Sequence, residues 1–255
     1  MNPNQALHWK ESHHIRTYEV DYTNRLKVSS VFNFMQEAAS KSADSLGFGY
    51  ENFIQEGLFW VLSRVRVILI DTQQLGDKIT IETWPKGIEG VFATRDFRVY
   101  DADQNIICLA TTSWALLDGA TMRPLPGPEL RKRLTRMDPD SAIDEVPGKI
   151  MEPSRKDLVY EKHIRYLDLD VNRHVNNVKY VEYILDAFPM EDYQARKLVS
   201  LQVNFISEAK YGDTLRIFKG PYGEQEELVY LHGVNQHDRK VFQARVEWQD
   251  GKLSS

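Results

Sequence analysis

Cysteine is almost missing from this chain: Cys108 is the only one in 255 residues. One thiol cannot close an intrachain disulfide, so the fold must rest on its core, and a reducing compartment is expected. Long hydrophobic runs are missing as well. No stretch approaches the ~18 apolar residues of a membrane span, and the first ten residues lack the apolar centre of a secretory signal. A soluble, cytoplasmic protein is expected. Positive charge is in deficit, with 32 Lys and Arg against 37 Asp and Glu, which gives nucleic-acid binding no support as a bulk property. There is no Gly-x-Ser-x-Gly elbow and no glycine-rich phosphate loop, which removes the usual serine-hydrolase and nucleotide signatures. Cys108 itself stands in the apolar run Ile106-Ile107-Cys108-Leu109, the setting of an inert thiol rather than a nucleophile.

What is present is strongly periodic. Residues 27 to 46 carry Val28, Val31, Phe32, Met35, Ala38, Ala39 and Leu46 on one helical face, with Gly47-Phe48-Gly49 as a stop. A strand is predicted before it (residues 11 to 20) and four after it: 58 to 70, 78 to 84, 89 to 100 and 105 to 117. His13 and His14 are neighbours in the first strand, so they point to opposite faces and make a poor metal pair. Six of the ten prolines then fall between residues 118 and 155, which predicts a linker rather than sheet. Within it, Arg131, Lys132, Arg133 and Arg136 mark a short basic helix. That helix reads equally as a solvated linker element or as a landing site for an acidic partner. Beyond residue 156 the series repeats: strand 157 to 167, a helix ending near 188, and strands 197 to 206, 213 to 219, 226 to 235 and 239 to 249.

The two halves can be laid on each other. Val67-Ile68-Leu69 before Gly76-Asp77 matches Val203-Asn204-Phe205 before Gly212-Asp213. At the helix entrances, Thr23-Asn24-Arg25 is set against Val171-Asn172-Arg173. That register places Tyr22 opposite Asp170, Leu26 opposite His174, and Thr72 opposite Glu208. On this reading the first half is apolar where the second is ionisable. A division of labour is expected, with chemistry in the second half and an apolar ligand in the first.

Residues 168 to 177, Asp-Leu-Asp-Val-Asn-Arg-His-Val-Asn-Asn, hold the densest chemistry. Three readings compete. His163, Asp168, Asp170 and His174 could ligate a metal, but the spacing fits no familiar zinc pattern and no cysteine pair supports it, so no metal is expected. Asp170 or Asn172 could cap the following helix. The third reading is acid–base catalysis by a carboxylate and a histidine beside a helix N-terminus, whose free N–H groups suit a developing oxyanion.

The stretch Asp168-Leu-Asp-Val-Asn-Arg-His-Val-Asn-Asn-Val-Lys-Tyr180 closely resembles the signature of acyl-acyl carrier protein thioesterases of the plant and bacterial type. Ile15-Arg-Thr-Tyr-Glu19, Met35-Gln-Glu-Ala38, Thr94-Arg-Asp-Phe97, Ser113-Trp-Ala-Leu116 and Arg123 before the prolines look like that family too. The resemblance implies an α+β tandem hotdog fold, each half a long helix wrapped by an antiparallel sheet. Its parts would be an N-terminal hotdog (1–120), a proline-rich linker (121–155) and a C-terminal catalytic hotdog (156–255). It implies a catalytic set of Asp170, Asn172, His174 and Glu208. Many plant members have a cysteine after that glutamate; Ala209 stands here, so a cysteine mechanism is untenable.

The implied activity is hydrolysis of fatty acyl thioesters on acyl carrier protein, yielding free fatty acid and the holo carrier. Val28, Phe32, Met35 and Trp60 are the candidate acyl-chain residues. Either Glu208 or Asp170 would take a proton from water or act as nucleophile. No cofactor is expected beyond the phosphopantetheine arm that the substrate carries. The carrier is acidic as a class, so it would dock on Arg131, Lys132, Arg133 and Arg136, or on Arg173, Lys179, Arg196 and Lys197. A monomer or homodimer is expected. The rival readings are an acyl-coenzyme A thioesterase and a non-catalytic acyl-thioester binder.

Overall fold

A computed structural model describes residues 7–251 of the chain. It divides into two compact units, split between Pro147 and Gly148.

In the first unit, β1 (Trp9–His14) is followed by α1 (Val28–Leu46) and the short α2 (Tyr50–Ile54). Then come β2 (Leu58–Leu69), β3 (Lys78–Glu89), β4 (Phe92–Tyr100) and β5 (Ile106–Asp118). The strands form an antiparallel sheet in the order β1-β3-β4-β5-β2. Helix α1 packs on β1 and β3 and buries Val31, Phe32, Met35, Ala38, Ala39 and Leu46, each large apolar side chain contributing about 1.5–3 kcal/mol. Gly47 ends it with φ 81°, a conformation glycine takes without penalty. Under the helix, the buried Arg95 donates to Ser42 Oγ at 2.9 Å and Thr83 Oγ1 at 3.2 Å. Burial pushes its guanidinium down to about 10.

Two strands differ from expectation. β1 stops at His14, because Thr17–Glu19 closes a 3₁₀ turn in which the Arg16 N–H reaches the Glu19 carboxylate at 2.7 Å. β3 runs on through Pro85 to Glu89, since a bulge between Pro85 and Gly87 absorbs the missing donor.

The proline-rich stretch is a packed strap. The two-residue β6 (Arg123–Pro124) pairs with the end of β5. Helix α3 (Gly127–Arg133) follows, and Leu130 and Leu134 are buried in a cluster with Phe48, Phe53, Leu58 and Leu116. Residues 138–147 then lie along the sheet, held by their backbone. The Asp138 N–H donates to Pro85 O at 2.9 Å and the Trp84 indole donates to Asp140 O at 2.9 Å. Asp96, wholly buried, accepts the Ala142 N–H at 2.8 Å and faces Lys86 at 3.2 Å. Arg98 makes a bidentate pair with Asp140 at 2.7 and 3.0 Å.

The second unit repeats the plan. β7 (Asp157–His163), α4 (Asn177–Leu185) and α5 (Met190–Ala195) precede β8 (Arg196–Phe205), β9 (Thr214–Tyr222), β10 (Gln225–Val234) and β11 (Lys240–Asp250). Its antiparallel order is β7-β9-β10-β11-β8, element for element that of the first unit. Helix α4 buries Val178, Tyr180, Val181, Tyr183 and Ile184. Tyr180 packs against Phe205 of β8 and Phe242 of β11, with ring centres 6.0 and 5.6 Å apart. The strand predicted for 157 to 167 ends at His163, and Tyr166–Asp168 makes the second 3₁₀ turn.

Candidate active site

The loop that enters α4 is shaped by its main chain. The Asp170 N–H donates to His174 O at 2.9 Å and the Arg173 N–H donates to Asp170 O at 3.0 Å. The Asp170 carboxylate accepts the Asn172 N–H at 2.8 Å. Arg173 takes φ 63° to close the turn. The Asn176 N–H donates to Asp168 O at 3.0 Å.

The first unit holds the same loop. The Asp21 N–H donates to Arg25 O at 2.8 Å, the Asn24 N–H to Asp21 O at 3.0 Å, and the Lys27 N–H to Glu19 O at 2.9 Å. Asp21 Oδ1 accepts the Thr23 N–H at 2.8 Å, and Asn24 has φ 65°. The twins of Asp170, Asn172, Arg173 and His174 are therefore Asp21, Thr23, Asn24 and Arg25. This corrects the register read from the sequence by one residue. Tyr22 stands opposite Val171 and Leu26 opposite Val175, so the first unit is not apolar at these places. It keeps the carboxylate and carries Arg25 where the second carries His174. The strand-end register holds: the Leu26 N–H donates to Gln73 O at 2.8 Å and the Val175 N–H to Ala209 O at 3.0 Å, so Thr72 is the twin of Glu208.

Neither Asp170 nor Asn172 caps the helix. Asn176 does, its Oδ1 accepting the Val178 N–H at 2.8 Å. An asparagine at the N-cap satisfies one of the free donors of the first turn. Asp168 is buried and ties down the 3₁₀ turn through the Arg165 N–H at 2.7 Å. Burial acts to raise its carboxyl. The Arg165 N–H, the Tyr183 hydroxyl and Lys162 outweigh burial and hold it below the usual range.

The chemistry converges on two side chains. His174 Nε2 lies 3.1 Å from Glu208 Oε2, with both groups open to solvent. The contact is fixed from below. His174 bridges to Lys210, the Val175 N–H holds Ala209 O, and the Tyr180 hydroxyl accepts the Ala209 N–H at 3.1 Å. Burial first, then the carboxylates of Glu208, Asp213 and Asp170, push the Tyr180 hydroxyl well up, against the Ala209 N–H. Tyr180 is the site residue that sequence reading missed. It closes the signature Asp168 to Tyr180 quoted from the sequence, and that was the available signal. Asn172 sits on the exposed tip of the turn, joined to Asp170 through its backbone.

The other candidates are scattered. Phe32 and Met35 are buried on α1 and Val28 is half-buried at its start. Trp60 belongs to a different cluster, packing edge-on against Phe53 and donating to Phe48 O at 2.9 Å. On the basic helix, Arg131 donates to Ile88 O at 3.1 Å, and Lys132 and Arg133 pair with Glu129 and Glu56. Arg136 is half-buried beyond α3 and has a partner of its own. Lys179 pairs with Glu182 at 2.8 Å. Arg173 is exposed on the turn. Cys108 is buried and its thiol is pushed up to about 12 by burial. Of the four residues weighed as metal ligands, His163 turns to Thr214 at 2.8 Å and Asp168 to the Arg165 N–H.

By fold and site this is a tandem hotdog protein, α+β, with an imidazole–carboxylate pair at one helix entrance. Its sequence matches the acyl-ACP thioesterase N-terminal domain over residues 6–129 and the acyl-ACP thioesterase C-terminal domain over residues 151–250. The chain belongs to the acyl-ACP thioesterase family. It is 27% identical over 94% of its length to a chloroplastic acyl-[acyl-carrier-protein] hydrolase of Cuphea viscosissima, and spans 61% of that protein. It is 29% identical over 95% of its length to the chloroplastic palmitoyl-acyl carrier protein thioesterase of Arabidopsis thaliana, and spans 64% of it. Among solved structures, it resembles an acyl-ACP thioesterase from Bacteroides thetaiotaomicron with a TM-score of 0.88 at 25% identity, covering 95% of this chain and 98% of that one. The 12:0-ACP thioesterase of Umbellularia californica gives 0.84 at 25% identity, covering 96% and 95%. Among the described residues, no helix is long and apolar enough to cross a membrane.

Proposed function

We propose that the protein hydrolyses fatty acyl thioesters borne on acyl carrier protein, with water as the nucleophile, releasing free fatty acid and the holo carrier in the cytoplasm. The observation that carries this is the 3.1 Å contact of His174 Nε2 with Glu208 Oε2, at a loop whose twin holds Arg25 and Thr72 instead. Family membership supports the same reading.

The pair suits base catalysis. A carboxylate 3.1 Å from one imidazole nitrogen would draw the ring N–H to that side and leave the other nitrogen with a lone pair. His174 Nδ1 would take a proton from water as the water oxygen bonds to the thioester carbon. An imidazole is a better base near neutrality than a solvated carboxylate, so Glu208 is assigned the orienting role. Asn172 would face the oxyanion that develops on the carbonyl. When the tetrahedral adduct collapses, the C–S bond breaks and the sulfur leaves as thiolate; a thiol of pKa ~8.5 needs little acid assistance. Asp170 holds the turn, as Asp21 does in the first unit. The reading needs no resident cofactor, because the phosphopantetheine arrives with the substrate.

Two substitutions and one label test it. Glu208→Gln keeps an acceptor for the imidazole, so the rate should fall by about 10–100-fold, whereas His174→Ala should lose 10³-fold or more, on the order of a deleted general base. Equal losses would make Glu208 the base. A single turnover in ¹⁸O-water should place label only in the released acid; label retained on Glu208 or Asp170 would establish an acyl-anhydride route. Comparison of acyl-carrier with acyl-coenzyme A substrates separates the two thioesterase readings.

A further inference from the structure

The two helix-entrance loops share their hydrogen bonds, so each difference in their side chains stands out. The apolar rim is common to both. Leu167, Val171 and Tyr211 are 82%, 96% and 63% exposed in the second unit, and their twins Tyr18, Tyr22 and Leu75 are 64%, 64% and 42% exposed in the first. Charge is arranged differently. The first loop carries Arg25 and Lys27 where the second has His174 and Asn176, and Lys27 is engaged on Tyr18 O. In the second loop, by contrast, Arg173 replaces Asn24 and Lys210 replaces Gln74. Both cations are exposed, and neither side chain has a partner among the described residues.

Arg173 is also in the wrong backbone for an arginine. Its φ is 63°, in the left-handed region that asparagine and glycine occupy with least strain. Its twin is the asparagine that suits the turn, with φ 65°. Strained positions that survive point to a function for the side chain. The remaining clusters considered for docking have their charges engaged at home: Lys132 and Arg133 on Glu129 and Glu56, Lys179 on Glu182, and Arg196 on Asp250.

We propose that Arg173 and Lys210 recognise the acidic surface of acyl carrier protein and seat it over the His174–Glu208 pair. This rests on the thioesterase reading above. The two cations flank His174, one preceding it in the chain and the other bridged to it. The same two loops expose Val171, Leu167 and Tyr211, apolar side chains that a bare phosphate would leave uncovered. That favours a folded acidic partner over the lone phosphodiester of the arm.

The experiment uses the full chain and the first unit's own residues, Arg173→Asn and Lys210→Gln, alone and together. Acyl-carrier, acyl-coenzyme A and acyl-pantetheine substrates are compared. The ratio of kcat/KM on acyl-carrier to kcat/KM on acyl-pantetheine should fall about tenfold per substitution, through KM, and the salt dependence on the carrier should become shallower. Arg173→Asn should melt at or above the parent temperature. An unchanged ratio overturns the proposal. So does a parallel fall on acyl-coenzyme A, which would assign the cations to the arm's phosphate, and so does a lowered melting temperature for Arg173→Asn, which would make Arg173 structural. Absence of hydrolysis by the parent on all three substrates would instead defeat the thioesterase reading itself.

Discussion

The Tyr180 hydroxyl accepts the Ala209 N–H at 3.1 Å, while the Ala209 carbonyl takes the Val175 N–H at 3.0 Å. One residue is thereby held through both its N–H and its carbonyl, directly after Glu208 and directly beside Val175, the neighbour of His174. Ala209 is wholly buried, so no water can replace the tyrosine. Tyr180→Phe would leave a buried donor unpaired at a cost of about 1–3 kcal/mol. The protein should still fold, and kcat should fall about tenfold with KM little changed, because only the Glu208–His174 geometry is loosened. Steady-state kinetics beside a thermal melt checks this.

His174→Arg with Glu208→Thr would write the first unit's residues into the second unit's loop. The turn is made by main chain and by Asp170, and the first unit shows that arginine and threonine fit it. The double variant should therefore melt within about 1 kcal/mol of the parent, the range of surface substitutions, while hydrolysis disappears. Calorimetry and an acyl-thioester assay report the two halves of this expectation.

Cys108 should ignore thiol reagents in the native protein. It is 2% exposed and burial raises its thiol to about 12, so almost no thiolate forms at neutral pH. Mass spectrometry after iodoacetamide should find it unmodified until denaturant is added, and Cys108→Ala should retain full hydrolysis.

Acid should destabilise the second unit through His232. It is 3% exposed on β10, stacked on Phe218 with ring centres 5.0 Å apart. Burial pushes it down to about 4; Glu152 opposes that, and Lys240 and Lys156 reinforce it. Between the ordinary histidine value and about 4, the unfolded chain binds the proton that the folded chain refuses. Stability is therefore full above ~6.5 and drains as pH falls toward ~4, by an amount on the order of 3 kcal/mol. His232→Phe should flatten that stretch of a melting-temperature profile.

Much of this was legible beforehand. The long helix, the eight long strands and the doubled order follow from apolar period and turn residues, which local sequence states directly. The helix-entrance register slipped because Asn-Arg occurs in both loops, at 24–25 and at 172–173. Matching letters aligns those pairs, whereas the backbone aligns Asn24 with Arg173, the residue at positive φ in each loop. Left-handed geometry at an arginine has no sequence signature. The helix cap was misplaced for a related reason: Asp170, Asn172 and Asn176 are all able caps, and only the fold selects Asn176. Tyr180 stands in the quoted signature with no role assigned to it, because its hydroxyl partner lies 29 residues away.

The strap over the first unit bears on where the chain can be cut. A fragment ending at residue 120 would keep every strand from β1 to β5, yet it would strip the cover from Asp96 and Trp84 and delete Leu130 and Leu134 from the core. Such a fragment should aggregate or melt early. Cleavage after Pro147 leaves the cover in place, so limited proteolysis of the intact protein, read on a denaturing gel, should leave an N-terminal fragment ending near 147 rather than near 120.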